Sequence, residues 1–524
     1  MDNNTRPAAA FTLAPPAALP APLLDRTVAT DLATDFALPD YLPEIKRLLR
    51  VTPAVLPESR YLGASSAEFS GAVEYLVTYA GADGNLWSTR LRQDYAASTP
   101  VDADQLARGL DPAADTQVDS VVSRVTGPRK LNMRARLRTH VHAWGDEPVE
   151  PEIDGNPSPA SLERLTKPCR AMRLLRAASE PIDLGDEIPL ADGAGETRVI
   201  RADGCVNVTD ATVGDGTVTC RGELILQLLT CVEQDGMVSE PEVTLRKLPF
   251  EEQLALPEAA PGMAARAWGR CGDLAVQIED GRILCDATMW LEAEAAGEAE
   301  LALTADLYAT DGEIEDANYR EIEVSSLARC ANGSFTMTGV APLKEAGIDP
   351  AAEIVDVAAE PQIESMELAN GRCKLNGSCR LSVIYRLDGE YGAGEMVLPL
   401  AYTVDCGEAM VTDHAVEMTV CGLRTRCEGD GDARRLSVDA EIAAATRLFA
   451  RQKQRILARA AYRPSDAARE AACVVCYPEP GDSIWSICKR YRVSCAKVAS
   501  ANHLQPGEGS DLPASLEGVQ YLLI

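Results

Sequence analysis

One strand pattern is written three times in this 524-residue chain, and it limits what the chain can fold into. It reads FSGAVEYLVTY at residues 69–79, CRGELILQLLT at 220–230 and LNGSCRLSVIY at 375–385. Each copy carries a glycine in third place (Gly71, Gly222, Gly377) and apolar residues at every second position after it. A period of two is the mark of a strand with one buried face. Each copy soon reaches Asp-Gly: Asp83-Gly84, Asp235-Gly236 and Asp388-Gly389. That dipeptide accepts positive φ and closes a tight hairpin. The glycines stand 151 residues (71 to 222) and 155 residues (222 to 377) apart.

Two further elements recur in the same order. An alternating segment precedes each glycine strand, at 49–55, 199–206 and 354–363, and reads as another strand. Leu131, Leu284 and Leu436 each follow basic or Arg-Ile residues and open a third alternating run, at intervals of 153 and 152. Three elements at one period imply three homologous domains, and the chain is long enough to need several cores. The expectation is a mainly β protein. It comprises a flexible Ala/Pro-rich leader over 1–38, β-rich domains over 39–160, 170–315 and 320–463, a linker over 464–472 and a small module over 473–524. Residues 42–49 read as a short amphipathic turn of helix. The basic stretch Arg447, Arg451, Lys453, Arg455, Arg459 and Arg463 falls in register with a strand of the second repeat, so it reads as a strand with solvated arginines. Aromatic residues are 5% of the chain, so the cores should rest on Val, Leu, Ile and Ala.

The net charge of −30 repels nucleic-acid phosphate and anionic lipid and serves solubility. Sixteen cysteines are scattered through the chain, many at core-like strand positions such as Cys220 and Cys379. No charged segment followed by an apolar run marks a signal peptide, and no run of roughly 18 apolar residues marks a membrane span. Reduced thiols in the cytoplasm are expected.

The C-terminal module is different in texture. Residues 473–477 and 519–524 read as short strands. Between them, 484–491 puts Ile484, Ile487, Cys488 and Tyr491 on one helical face, with Asp482 or Ser483 as N-cap. A second short helix covers 494–502. This strand–helix–helix–strand order resembles a LysM domain, carried by Pro480-Gly481-Asp482-Ser483-Ile484-Trp485-Ser486-Ile487, Tyr491-Arg492-Val493-Ser494 and Ala501-Asn502-His503-Leu504. The resemblance implies a groove for N-acetylglucosamine-containing glycan or a protein partner. Its residues would be Gly481, Asp482, Ser483, Ile484, Trp485, Asn502, His503 and Leu504. Their chemistry would be amide hydrogen bonds over an apolar floor, although Trp485, Ile487 and Leu504 also read simply as core.

The repeats, with Asp306-Leu307-Tyr308-Ala309-Thr310-Asp311 in the second, look like the SPOCS domains of spore coat proteins. Several such repeats before one LysM is the order found in spore coat morphogenetic proteins. The resemblance implies a non-enzymatic scaffold in the mother cell at the forespore surface, with a SpoIVA-like coat-basement ATPase bound through the LysM module. A peptidoglycan-binding wall or cortex protein is the alternative. Chemistry elsewhere is sparse. His140 and His142 share a strand face without an evident third metal ligand. Cys473, Cys476, Cys488 and Cys495 form a conceivable zinc set that the fold does not need. No phosphate loop, nucleophile elbow or constrained acid/base pair is present, so no catalytic residue, metal or cofactor is assigned.

Overall fold

The computed structural model describes residues 18–107, 111–190, 196–234, 237–465, 473–505, 516 and 518–524. The first domain comprises β1 (Ala18–Ala37), β2 (Ile45–Leu62), β3 (Ser66–Gly81), β4 (Leu86–Pro100), the short helix α1 (Ala103–Ala107), β5 (Ala113–Gly127) and β6 (Lys130–Pro148). They form two antiparallel sheets, β2-β3-β4 and β1-β6-β5. After β7 (Glu152–Asp154), the second domain contains β8 (Leu162–Ala178), β9 (Ile182–Pro189), β10 (Glu196–Val213), β11 (Thr217–Gln234), β12 (Met237–Val238), β13 (Glu242–Ala255), β14 (Ala264–Glu279) and β15 (Arg282–Ala309). Here β10-β11-β13 is one sheet, and β14-β15-β8 is the other. Strands β8 and β9 together play the part of β1, pairing with successive stretches of β15. The third domain has β16 (Gly312–Pro342), β17 (Glu353–Ala369), β18 (Arg372–Leu387), β19 (Glu390–Asp405), β20 (Asp413–Glu428) and β21 (Arg435–Pro464). Its sheets are β17-β18-β19 and β16-β21-β20.

The expectation of a mainly β protein holds, and the recurring strands occupy the centres of the two main sheets of each of the three domains. Residues 69–79, 220–230 and 375–385 lie in β3, β11 and β18, each paired on both sides. The runs opened by Leu131, Leu284 and Leu436 lie in β6, β15 and β21, the central strands of the opposing sheets. The faces meet in dry cores. In the first domain Val73, Tyr75, Val77 and Tyr79 pack on Leu131, Met133, Ala135 and Leu137. The recurring glycine has a backbone steric cause in the second and third copies, whereas a Cβ on Gly71 would meet only the Tyr95 side chain, at 3.0–3.1 Å. Opposite Gly377 the register of β17 jumps from Ile363 to Ser365, a bulge. A Cβ on Gly377 would stand 1.9 Å from the Gln362 carbonyl, and one on Gly222 would stand 2.1 Å from that of Asn207. Asp388 and Gly389 both take positive φ (51° and 82°) in the β18–β19 hairpin, whereas Asp235-Gly236 lies outside the described residues.

Two expectations need correction. Residues 18–37, read as part of a flexible leader, are strand β1, which pairs along β6 from Ala18↔Pro148 to Ala37↔Lys130. Its prolines fall at the start, where Pro20 and Pro22 precede a register shift, and the remainder alternates buried-side and exposed residues. Residues 1–17, the rest of that leader, and 466–472 of the expected linker lie outside the described residues. Residues 42–49 are not helical. The chain turns at 40–42 and enters β2 at Ile45, where Ile45 and Leu48 pack into the sandwich core.

The domains close on one another through equivalent positions. Leu49 and Ile200 share one apolar cluster with Val355, at the repeat intervals of 151 and 155. The next residues are Arg50, Arg201 and Asp356. Both guanidinium groups donate to Asp356 Oδ2, at 2.5 Å and 2.7 Å, and all three side chains are nearly inaccessible. Three like charges could not be buried there together; the Asp in the third copy makes the junction possible. A second joint centres on Glu294 of β15. It accepts from Arg266 Nε at 2.7 Å and from Arg447 of β21. Burial raises the Glu294 carboxyl, but the guanidinium groups outweigh it and hold the pKa at about 2. Arg447 is thus buried. The solvated arginines of β21 are those beyond it, such as Arg459 on Asp154 and Arg463 on Glu315.

Candidate functional site

The C-terminal module consists of β22 (Val475–Cys476), α2 (Ile484–Tyr491), α3 (Cys495–Ala501) and β23 (Leu522–Leu523). The strands pair antiparallel. Ser483 is the N-cap of α2: its hydroxyl accepts from Ser486 N at 3.1 Å, while Ser486 Oγ accepts from Ser483 N at 2.9 Å. Asp482, the alternative cap, braces the turn instead. Its carboxylate accepts from Glu479 N at 3.1 Å and from Arg490 at 2.9 Å. That backbone hydrogen bond, with the Arg490 charge, holds it below the usual carboxylate range. Ile484, Ile487 and Cys488 are buried with Val493, Val498 and Leu522. Tyr491, expected on that apolar face, is 36% exposed.

The residues expected to bind a ligand divide into three groups. Gly481, Ser483 and His503 are exposed on two turns, with φ of 96° at Gly481 and 54° at His503. Asp482, Asn502 and Leu504 are half-buried supports. Asn502 does not reach the 481–483 turn. Its amide donates to Val498 O and Leu523 O, each at 2.8 Å, and accepts from Leu523 N at 2.7 Å, fastening the closing strand. Ile484 and Trp485 are buried.

Trp485 is engaged elsewhere. Its Nε1 donates to Asp306 Oδ2 at 2.9 Å, and Lys489 Nζ lies 2.7 Å from both Asp306 oxygens. Its ring meets Tyr308 edge-on, with centroids 4.9 Å apart. The Tyr308 hydroxyl donates to Val493 O at 2.6 Å, and Tyr308 belongs to the module's own apolar cluster. Burial pushes that phenol well above its ordinary pKa. Arg492 pairs with Glu313. The module is therefore clamped to the end of β15 through the Asp306-Leu307-Tyr308 segment. This contact spans 179 residues of sequence, and no local pattern announces it.

The other candidate clusters also resolve. Asp115 of β5 supplies the third ligand that sequence could not place beside His140 and His142; their ligand atoms lie within 4.8 Å of one another. Arg176 of β8, however, donates to both Asp115 oxygens and lies 2.9 Å from His142 Nε2. A metal would have to displace that guanidinium. Cys476, Cys488 and Cys495 are core residues and Cys473 is exposed. Among the described residues these four do not converge as a ligand set. A cavity of about 1240 Å³ lies between the three domains, lined by Asp115, Asp203, Arg266, Arg270, Glu294 and Glu417 among others. Among the described residues no helix is long and apolar enough to cross a membrane.

Compared with known families, residues 479–508 match the LysM domain. No curated protein and no solved structure matches the chain.

Proposed function

We propose that the chain is a non-enzymatic binding scaffold whose LysM module holds an N-acetylglucosamine-containing glycan such as peptidoglycan. The observation that carries this reading is the division of the module's surface. The Trp485–Lys489 side is spent on the body, while the turns bearing Gly481, Ser483 and His503 stay exposed. The exposed side chains of Ser483 and His503, with half-buried Leu504 following His503, suit an acetamido group. The non-enzymatic part is supported by the domain joints, where buried arginines and carboxylates neutralise one another. Co-sedimentation of the full chain with insoluble peptidoglycan tests the reading. Binding competed by N-acetylglucosamine oligomers and weakened several-fold by His503→Ala is expected; no retention on peptidoglycan would refute it.

The triple repeat ahead of a LysM favours a second reading, that of SipL-like spore coat morphogenetic proteins. There the same exposed turns would dock a SpoIVA-like coat-basement ATPase at the forespore surface, from the mother-cell cytoplasm. Capture of such an ATPase from sporulating-cell extract by the full chain, with no retention on peptidoglycan, would select this reading over the first.

A further inference from the structure

The face of β6 that turns away from the sandwich core carries His140 and His142, whose ring centroids stand 5.2 Å apart. The strands on either side place a carboxylate beside each. Asp115 of β5 is paired with His140, and Asp25 of β1 with His142. All four side chains line the central cavity. One nitrogen of each ring and one oxygen of Asp115 lie within 4.8 Å of one another. Hydrogen bonds fix what each ring offers. Asp25 Oδ1 accepts at 2.8 Å from His140 Nε2, so the proton sits there and Nδ1 keeps its lone pair. A carboxylate holding the far N–H is what orients a metal-ligating histidine. His142 Nε2 accepts from Arg176 Nη1 at 2.9 Å, which puts the His142 proton on Nδ1. That Nδ1 is buried with no hydrogen-bond partner, 3.7 Å from Asp115 Oδ2. A buried, unpaired N–H is unfavourable. The same two atoms are spaced much like neighbouring ligands of one tetrahedral cation, which sit about 3.4 Å apart.

We infer that His140 Nδ1, His142 Nδ1 and Asp115 Oδ2 form a binding site for one divalent transition cation of the zinc class, on the first domain where it faces the second. Two imidazoles and one carboxylate suit zinc and leave a fourth position for water; magnesium and calcium ask for more oxygens. The ion reaches the site from the cavity past His140, whose side chain is 45% exposed. His142 changes tautomer as it binds. Its Nδ1 gives a proton to water and takes the metal, and Nε2 takes a proton from water. Arg176 Nη1 must then leave Nε2 and also Asp115 Oδ2, to which it donates at 3.0 Å. The other end of the guanidinium can stay. Nη2 donates to Asp115 Oδ1 and to Glu292 of β15, and the group lies 5.4 Å from the Trp268 ring centroid. Arg176 is thus a competitor for the site that keeps partners in the second domain when it is displaced.

Titration of the full chain with Zn2+ against a chromogenic chelator, with the thiols kept reduced by a phosphine, tests this. One Zn2+ per chain is expected. His140→Gln should weaken it about tenfold or more, and Asp25→Asn, which removes only the orienting acceptor, several-fold. Both positions are about half-exposed, so each variant should keep the wild-type circular dichroism melt without metal. Co2+ in place of Zn2+ should give the visible bands of a tetrahedral nitrogen and oxygen site, without the near-ultraviolet band of a thiolate ligand. Cys473→Ser, which removes an exposed thiol, should bind as the wild type does. No Zn2+ held, equal retention in His140→Gln, a thiolate band, or loss of the ion in Cys473→Ser would each overturn the inference.

Discussion

Asp306 shows how much one residue can decide. Its carboxylate is partly buried at the end of β15 and takes hydrogen bonds from Lys489, Trp485 and the Leu307 amide. Burial raises it, but those bonds prevail and hold it below the ordinary carboxylate range. A depressed carboxylate contributes stability above its unfolded pKa, near 4, and loses it as the pH falls. The clamp should therefore weaken in acid. Asp306→Ala should cost about 1–3 kcal/mol and leave both helices of the module intact. Hydrogen exchange should then quicken over 303–309 and 485–495 while the sandwich cores keep their protection; unchanged exchange at those segments would show that Asp306 is not the clamp. The sequence makes Asp306-Leu307-Tyr308 visible as a motif. It cannot reveal that Tyr308 completes a core lying so far along the chain, because pairing across domains leaves no periodicity.

Among the elements, the central strands were legible and the outer strands less so. Strands β3, β11 and β18 are paired on both edges and send every second side chain into a sandwich core, so their alternation is regular and their glycines recur. Strand β1 lies at a sheet edge, with the alternating Thr, Ala and Asp of residues 27–35 exposed in part, and its Pro-rich start looks like a tether. The recognised glycine has a testable consequence. Gly377→Ala places a methyl group against the Gln362 carbonyl, so the bulge in β17 must shift. The expected cost is roughly 1–3 kcal/mol, read as a lower denaturation midpoint with an unchanged slope. A variant as stable as the wild type would mean that the recurring glycine answers to something other than the bulge. The module's helices were likewise legible from capping and three-and-four spacing, whereas the role of Asn502 was not, since its partner Leu523 belongs to the other end of the module.

At the scale of the whole molecule, the three sandwiches close around buried charged joints, of which Arg201, Arg266, Glu294 and Arg447 also line the central cavity. Glu417 of β20 faces that cavity. Burial, with Asp115 and Glu292 nearby, raises its pKa to about 7 against the opposing pull of Arg266 and Arg270. An acid raised in the folded state costs nothing below its unfolded value of 4.5. The cost grows as the pH climbs towards 7 and is complete above it. Glu417→Gln should thus stabilise the chain by roughly 2–3 kcal/mol at pH 8 and change little at pH 4. Equal effects at both pH values would contradict the placement of Glu417. The body grips the LysM module through Trp485 and Lys489 and leaves the turns bearing Gly481, Ser483 and His503 exposed, and the proposed binding depends on those turns rather than on the grip. Isothermal titration of an N-acetylglucosamine tetramer into the full chain and into Asp306→Ala measures it directly. One site with the same affinity in both proteins is predicted, because the clamp and the groove occupy different faces. Binding that appears only after the clamp is released, or in neither protein, would contradict it.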